Sequence, residues 1–273
     1  MRIAVLMKQV PDTDDVKMDA ERGTMIRDGV GGIVNPLDLN ALEAAVGLRG
    51  EGGSIVVVSM GPPAAEEVLR EGLALGADRA ILATDRAFAG CDSLSTSRVL
   101  AAVLKRDGVP DLVIAGGKAT DGETGQVGPE VAALLGMPVA DNVTRLSACP
   151  DGVEVECTLE DGILTQRLPM PCLVTVQSDI NSPSLPTLSG KKRASAAEVE
   201  RVSASDLGMA PPDTGLDASP TRVVRITSQR VARQPEKFFA KKSDSLEKGL
   251  DRIMEILEAS GAIGRGGGAV ERL

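Results

Sequence analysis

Short apolar runs alternate along the first half of the chain with stretches whose apolar residues recur at helical spacing. Ile3 to Met7 reads as a strand at the N-terminus, and the charged segment from Pro11 to Arg27 as a hairpin-like excursion around Val16 to Met18 and Thr24 to Ile26. A helix follows over Asp38 to Leu48, with Leu39, Leu42, Ala45 and Val46 on one face. Ser54 to Met60 is a buried strand, and Pro63 to Leu75 a helix with proline in its first turn. Arg79 to Ala83 and Asp111 to Ala115 complete the strand series, and Ser93 to Lys105 and Gln126 to Leu135 the helices. Strand and helix in regular alternation predict an α/β fold with a doubly wound, mainly parallel sheet.

From Val143 the pattern shortens. Val143 to Ser147, Val153 to Thr158, Ile163 to Arg167 and Cys172 to Val176 read as strands, with turns at Pro150-Asp151-Gly152 and Glu160-Asp161-Gly162. They predict an antiparallel extension of the sheet. Beyond Asp179 the chain is rich in Ser and Pro and then basic at Lys191-Lys192-Arg193, the composition of an exposed loop. Ala210 to Pro220 reads as a linker, Arg222 to Thr227 as a short basic strand, and the stretch to Ser243 as a mobile arm. A last helix opens with a capping-box-like pair, Asp244 and Glu247, and carries Leu246, Leu250, Ile253 and Leu257 on one face. That stripe must pack on its own domain or on another subunit. The expected division is an α/β domain over 1–209 and a linker, arm and helix over 210–273.

Ligands of doubly wound sheets gather at the carboxyl ends of the strands. Here those ends are Leu6 to Lys8, Met60 to Gly61, Thr84 to Asp85 and the stretch Gly116 to Gly128, GGKATDGETGQVG. The last joins a buried strand to a helix. Its glycines let the backbone approach a ligand, and the first N–H groups of the helix have no partner within it, which suits a phosphate. An ordinary surface turn is the alternative. Asn35-Pro36 offers a donor and acceptor held by a rigid residue, or simply a turn, and Asp38 is a candidate cap for the helix that follows. Asp121 and Glu123 would repel phosphate oxygens, so they brace the loop, reach a ribose hydroxyl or face water.

Composition narrows the chemistry further. The chain has no His, which rules out a Ser-His-Asp triad, a Cys-His pair and histidine metal sites. With no Trp or Tyr, three Phe and a net charge of -9, it cannot present a basic, base-stacking surface to nucleic acid. Hydrophobic residues make up 42% of its 273 positions, enough for a sizeable core. Cys91, Cys149, Cys157 and Cys172 show no C-x-x-C spacing and no leader precedes the first strand, so reduced thiols in a cytoplasm are expected. No apolar stretch approaches the roughly 20 residues of a membrane helix.

Five segments in order resemble one family. AVLMKQVPDT, IVNPLDLNALEAAV, VVSMGPPAAEEVLREGLALGADRAIL, DLVIAGGKATDGETGQVGPEVAALLG and LEDGILTQRLPMPCLVTV are together similar to the small, or beta, subunit of electron-transfer flavoproteins. The resemblance implies a nucleotide-binding α/β fold paired with a larger alpha subunit that carries a redox-active FAD. It implies a nucleotide pocket formed by Leu6, Asn35, Pro36, Leu37, Asp38, Met60 and the run Gly116, Gly117, Lys118, Ala119, Thr120, Asp121, Gly122, Glu123, Thr124, Gly125, Gln126 and Val127. Some members hold AMP there as a structural element, whereas electron-bifurcating members hold a second FAD that accepts hydride from NADH. The segment DRAFAGCDSLSTS is similar to the bifurcating pattern F-x-G-x-D-[ST], which adds Phe88, Ala89, Gly90, Asp92 and Ser93 and favours FAD over AMP. Phe88 reads equally as a core anchor.

On that resemblance the protein positions the flavin, excludes water and tunes its potentials, and no side chain acts as a catalyst. One electron would pass to a ferredoxin or flavodoxin, the other through the alpha-subunit FAD to an acyl-CoA dehydrogenase or quinone-linked reductase. Leu185-Pro186 is similar to the family's partner-recognition loop, although NSPSLPTLSGKKR lacks the Arg and Tyr usual before it, which leaves the partner open. Cys157 stands where the family usually has a basic residue. The alternatives are an AMP-binding, non-bifurcating carrier subunit and, from another class, a redox-inert nucleotide-binding module related in fold to universal stress proteins.

Overall fold

The computed structural model describes residues 1–12, 31–210, 213–222, 236–239 and 243–263. The expected strands at Val16 to Met18, Thr24 to Ile26 and Arg222 to Thr227 lie wholly or almost wholly outside them. By contacts the chain divides into Met1–Ile226 and Thr227–Leu273.

In the first unit β1 (Arg2–Leu6) is followed by a short pair, β2 (Gln9–Pro11) and β3 (Gly32–Val34), which lie antiparallel to each other. Then come α1 (Pro36–Leu48), β4 (Ser54–Met60), α2 (Glu66–Leu75), β5 (Arg79–Ala83), α3 (Ser93–Arg106), β6 (Leu112–Gly116) and α4 (Val127–Leu135). Next are β7 (Val139–Cys149), β8 (Gly152–Leu159), β9 (Gly162–Pro169), β10 (Cys172–Val176), α5 (Leu188–Ala196), β11 (Glu200–Val202) and α6 (Gly215–Ala218). Among the described residues nine strands form one sheet in the order β11-β5-β4-β1-β6-β10-β7-β8-β9.

The strands read as unbroken apolar runs because both faces of the sheet are covered. Ile3 and Val5 of β1 join Leu42 of α1, Leu69 of α2 and Ala194 of α5 on one face. Ala4 and Leu6 join Val99 and Val103 of α3 and Val131 of α4 on the other. The α/β, doubly wound and mainly parallel reading holds. From β1 the chain winds through β4 to β5, then crosses to β6 on the opposite side of β1. The order therefore reverses between β1 and β6, whose carboxyl ends are Leu6, two residues before Lys8, and Gly116.

Three sequence expectations are corrected. Cys172–Val176 is not part of the antiparallel extension: β10 lies between β6 and β7 and is parallel to both. Its five residues are all buried, the mark of a central strand, and only β7-β8-β9 form the antiparallel ribbon. The stretch read as an exposed loop holds α5, capped by the Thr187 hydroxyl accepting from the Gly190 N–H at 3.0 Å. It also holds β11, which extends the sheet beyond β5. α5 forms despite its polar sequence because Arg193 donates to the Leu73 carbonyl at 2.8 Å, and Arg70 to the Ala194 carbonyl at 2.8 Å. Finally, the linker composition of 213–222 conceals α6, flanked by buried Thr214 and Ser219.

In the second unit α7 (Ser243–Ala259) begins one residue before the expected Asp244, and Leu246, Leu250 and Ile253 are exposed on it. No described helix is long and apolar enough to cross a membrane.

Ile114 sits wholly buried in β6 at the centre of the sheet. Ile114→Ala should lower the unfolding free energy by about 2–5 kcal/mol, read as a shift of the urea midpoint at unchanged slope.

Candidate functional site

The carboxyl ends of β1 and β6 are joined by one side chain. Asp38, at the third position of α1, turns its carboxylate into the sheet edge. Oδ2 accepts from the Lys8 N–H at 2.7 Å, and Oδ1 from the Gly116 N–H at 3.2 Å and the Asn35 Nδ2 at 2.9 Å. The expected capping role is thereby corrected: the helix starts after Asn35 with no side-chain cap, and Asp38 spends its oxygens on two strand ends instead. Burial pushes Asp38 up to about 7, while the Asn35 amide, the two backbone donors and the Lys8 ammonium pull the other way.

Asn35, 1% exposed, does more than turn the chain. Its Nδ2 also donates to the Lys118 carbonyl at 3.0 Å, and its Oδ1 accepts from the Thr120 N–H at 3.2 Å. Asn35 and Asp38 thus pin the start of the Gly116 loop from below. Asp121 braces that loop too, since the Lys8 Nζ lies 2.6 Å from its Oδ1. The Lys8 partnership was missed, although Lys8 is the first cation after β1. Glu123 faces solvent, 3.3 Å from the Lys118 Nζ, with φ of 52°. Lys8, Lys118, Asp121 and Glu123 balance in charge, so the loop presents backbone amides rather than net charge.

A Cβ on Gly116 would collide with the Asp38 carboxylate and Leu37, and Gly125 turns the loop at φ 64°. α4 then opens at Val127 without a side-chain cap, and Pro129 in its first turn brings no N–H. This open turn, with the glycine backbone before it, is an anion-binding arrangement. Pro36 and Leu37 form the first turn of α1 beneath it, Ala119, Gly122 and Thr124 belong to the loop itself, Leu6 ends the adjacent β1, and Met60 ends β4 one strand further on.

The segment after β5 lies along the same edge. Phe88 is 5% exposed and packs with Val99 and Val103, so it is the core anchor that holds the segment. Ala89 and Gly90 are exposed beyond it. Asp92 caps α3 by accepting from the Ser95 N–H at 2.9 Å, and it also accepts from the Thr221 N–H at 3.0 Å and hydroxyl at 2.8 Å. Ser93 Oγ reaches Gln126 Oε1 at 2.9 Å and Glu130 Oε1 at 3.2 Å, tying the start of α3 to the start of α4. The engagement of Asp92 by Thr221, more than a hundred residues away, left no local trace in the sequence.

Leu185-Pro186 stand well away from this edge in the sequence, on a loop staked to α1. Ser184 donates to Glu43 through its N–H and its hydroxyl, each at 3.0 Å, and Asn181 exchanges hydrogen bonds with Asn40. Leu185 is 89% exposed, as is Leu188 at the start of α5.

Between the ordinary aspartate range at about 4 and about 7, the folded protein holds a proton on Asp38 that the unfolded chain has released. Stability should therefore fall as pH rises through that window, with a slope of about one proton. Asp38→Asn should remove that component, seen by urea unfolding at several pH values between about 4 and about 7.

A family profile described as "Electron transfer flavoprotein domain" matches residues 22–207. Subunit CarD of the caffeyl-CoA reductase-Etf complex of Acetobacterium woodii is 45% identical over 230 residues, 84% of this chain and 88% of that protein. An electron transfer flavoprotein subunit beta of Thermoanaerobacterium thermosaccharolyticum is 40% identical over 255 residues, 93% of this chain and 98% of the relative. Protein FixA of Azorhizobium caulinodans is 40% identical over 235 residues, 83% of this chain and 84% of its own. With the profile spanning most of the chain and these relatives matched almost end to end, the chain belongs to the electron transfer flavoprotein family, as a beta subunit.

Proposed function

We propose that this chain pairs with an alpha subunit and binds FAD on the edge formed by the Gly116–Val127 cradle and the Phe88–Ser93 segment. The observation that carries the reading is the uncapped first turn of α4 behind a loop in which Gly116 has no room for a side chain and Gly125 turns the backbone at positive φ. Gly116 and Gly128 would each drive a Cβ into a neighbour. Such a cradle fits the pyrophosphate of a dinucleotide or the phosphate of AMP. When bound there, FAD would supply a hydride acceptor for NADH and one-electron transfer.

The chain's own residues have simpler duties. Loop and α4 amides hold phosphate, other than those of Gly116, Gly117, Thr120 and Glu123, which are given to Asp38, the Val176 carbonyl, Asn35 and the Ala119 carbonyl. Asn35 and Asp38 keep the loop in place, and the exposed Ala89 lies beside the end of β5 next to Gly90, against which Leu216 packs. The F-x-G-x-D-[ST] pattern at Phe88 to Ser93, together with the 45% identity to CarD, supports bifurcating use of that flavin. In that use electrons divide between a low-potential ferredoxin or flavodoxin and, through the alpha subunit, an acyl-CoA dehydrogenase or quinone-linked reductase. The exposed Leu185, beside the half-buried Pro186, suits recognition of such a protein partner.

AMP is the second occupant the cradle accommodates, in a carrier that does not react with NADH. The discriminating measurement is the nucleotide released from this chain co-expressed with its alpha subunit. About two FAD per heterodimer without AMP, with bleaching by NADH, is expected. One FAD with one AMP would assign the non-bifurcating carrier, and absence of any nucleotide would overturn both.

A further inference from the structure

The sheet edge beyond Gly117 carries a second pair of amides that the site as described does not use. Along β10, Leu173, Thr175 and Gln177 alternate onto the face covered by α4, with Gln177 just past the end of the strand. Two close approaches fix their level. A Cβ on Gly128, in the first turn of α4, would lie 2.6 Å from Thr175 Cγ2, and one on Gly117 would lie 2.9 Å from Gln177 Nε2. The carboxamide of Gln177 therefore stands against the start of the loop at Gly117, two residues along β10 from the level at which Thr175 meets the first turn of α4.

It is held there. The Gln177 N–H donates to the Val143 carbonyl at 3.0 Å, and its Nε2 donates to Asn142 Oδ1. Asn142 sits at φ 57°, a conformation asparagine tolerates better than most residues, where β7 breaks register against β10. Its N–H is in turn 3.3 Å from Thr175 Oγ1, which donates to Asp141. A backbone placed in the left-handed region to aim one amide at another is a positioning device. Nε2 carries a second N–H beyond the one given to Asn142.

The charge balance nearby gives that donor a purpose. Lys8 is paired with Asp121 and Lys118 with Glu123, so neither presents an uncompensated charge to an anion at α4. We propose that Gln177, set by Asn142, is a phosphate-contacting residue of the nucleotide site, so that the phosphate is held by neutral donors. The inference rests on the nucleotide reading above and adds a residue that reads phosphate rather than the nucleoside.

The test uses the alpha–beta complex freed of nucleotide by dialysis against potassium bromide and titrated calorimetrically with AMP and with adenosine. Gln177→Glu places a carboxylate where the phosphate would lie, and Gln177→Met removes the donor at similar volume. Gln177→Glu should weaken AMP binding by about tenfold or more, with a smaller loss for Gln177→Met, while adenosine binding stays within about twofold. Equal losses for AMP and adenosine would make Gln177 purely structural and overturn the proposal, as would unchanged AMP binding in both variants. If the wild-type complex takes up neither AMP nor FAD, the nucleotide reading fails and the proposal falls with it.

Discussion

The site depends on a buried carboxylate. Asp38 lies under the point where the strand order reverses and accepts three hydrogen bonds there, from the end of β1, the end of β6 and Asn35. Taking a carboxylate out of water is costly unless its oxygens are satisfied, and removing one donor would leave the charge stranded. That cost works as specificity. A helix start, two strand ends and the first residues of the glycine loop have one arrangement in which Asp38 is satisfied, and that arrangement leaves the α4 amides facing the edge.

The rest of the molecule keeps this edge rigid. Apolar strands buried on both faces fix the spacing of β1, β6 and β10, and α1 and α4 lie on opposite faces with their N-termini toward the same edge. Longer-range polar contacts then fasten the loops. Ser93 ties α3 to α4, Asp92 gathers the 213–222 segment, and Asn40 and Glu43 hold the loop of Leu185. Exposed apolar residues include Leu185 and Leu188 beside that loop, Ile163 and Leu164 of β9 and, in the second unit, Leu250 and Ile253 of α7.

Ionic contacts around the glycine loop have a different role from those elsewhere. Arg70 and Arg201 converge on Glu66, and Arg79 and Arg106 on Glu200, as surface ties worth little each. At the loop, by contrast, pairing removes lysine charge from a place where an anion is expected. What remains is a field of oriented N–H dipoles, which selects by geometry as well as charge.

The alternating apolar runs determined the α/β class and most strand and helix positions, and through the rule of strand ends they pointed to Leu6, Met60, Thr84 and the Gly116 loop as a candidate edge. These signals are local: periodicity, proline, glycine and the burial of a continuous run. Only the tertiary structure decided what depends on partners remote in sequence. Cys172–Val176 reads as a strand in isolation, but its parallel pairing with β6 and β7 follows from the crossover connections. The polar α5 and the concealed α6 are stabilised by arginine and hydroxyl contacts that composition cannot reveal. Asp38 is an acidic residue in a first helical turn by sequence and a brace by structure, because the groups it satisfies arrive from positions 8 and 116. Gln177 likewise acquires its place only when β10 and α4 pack face to face.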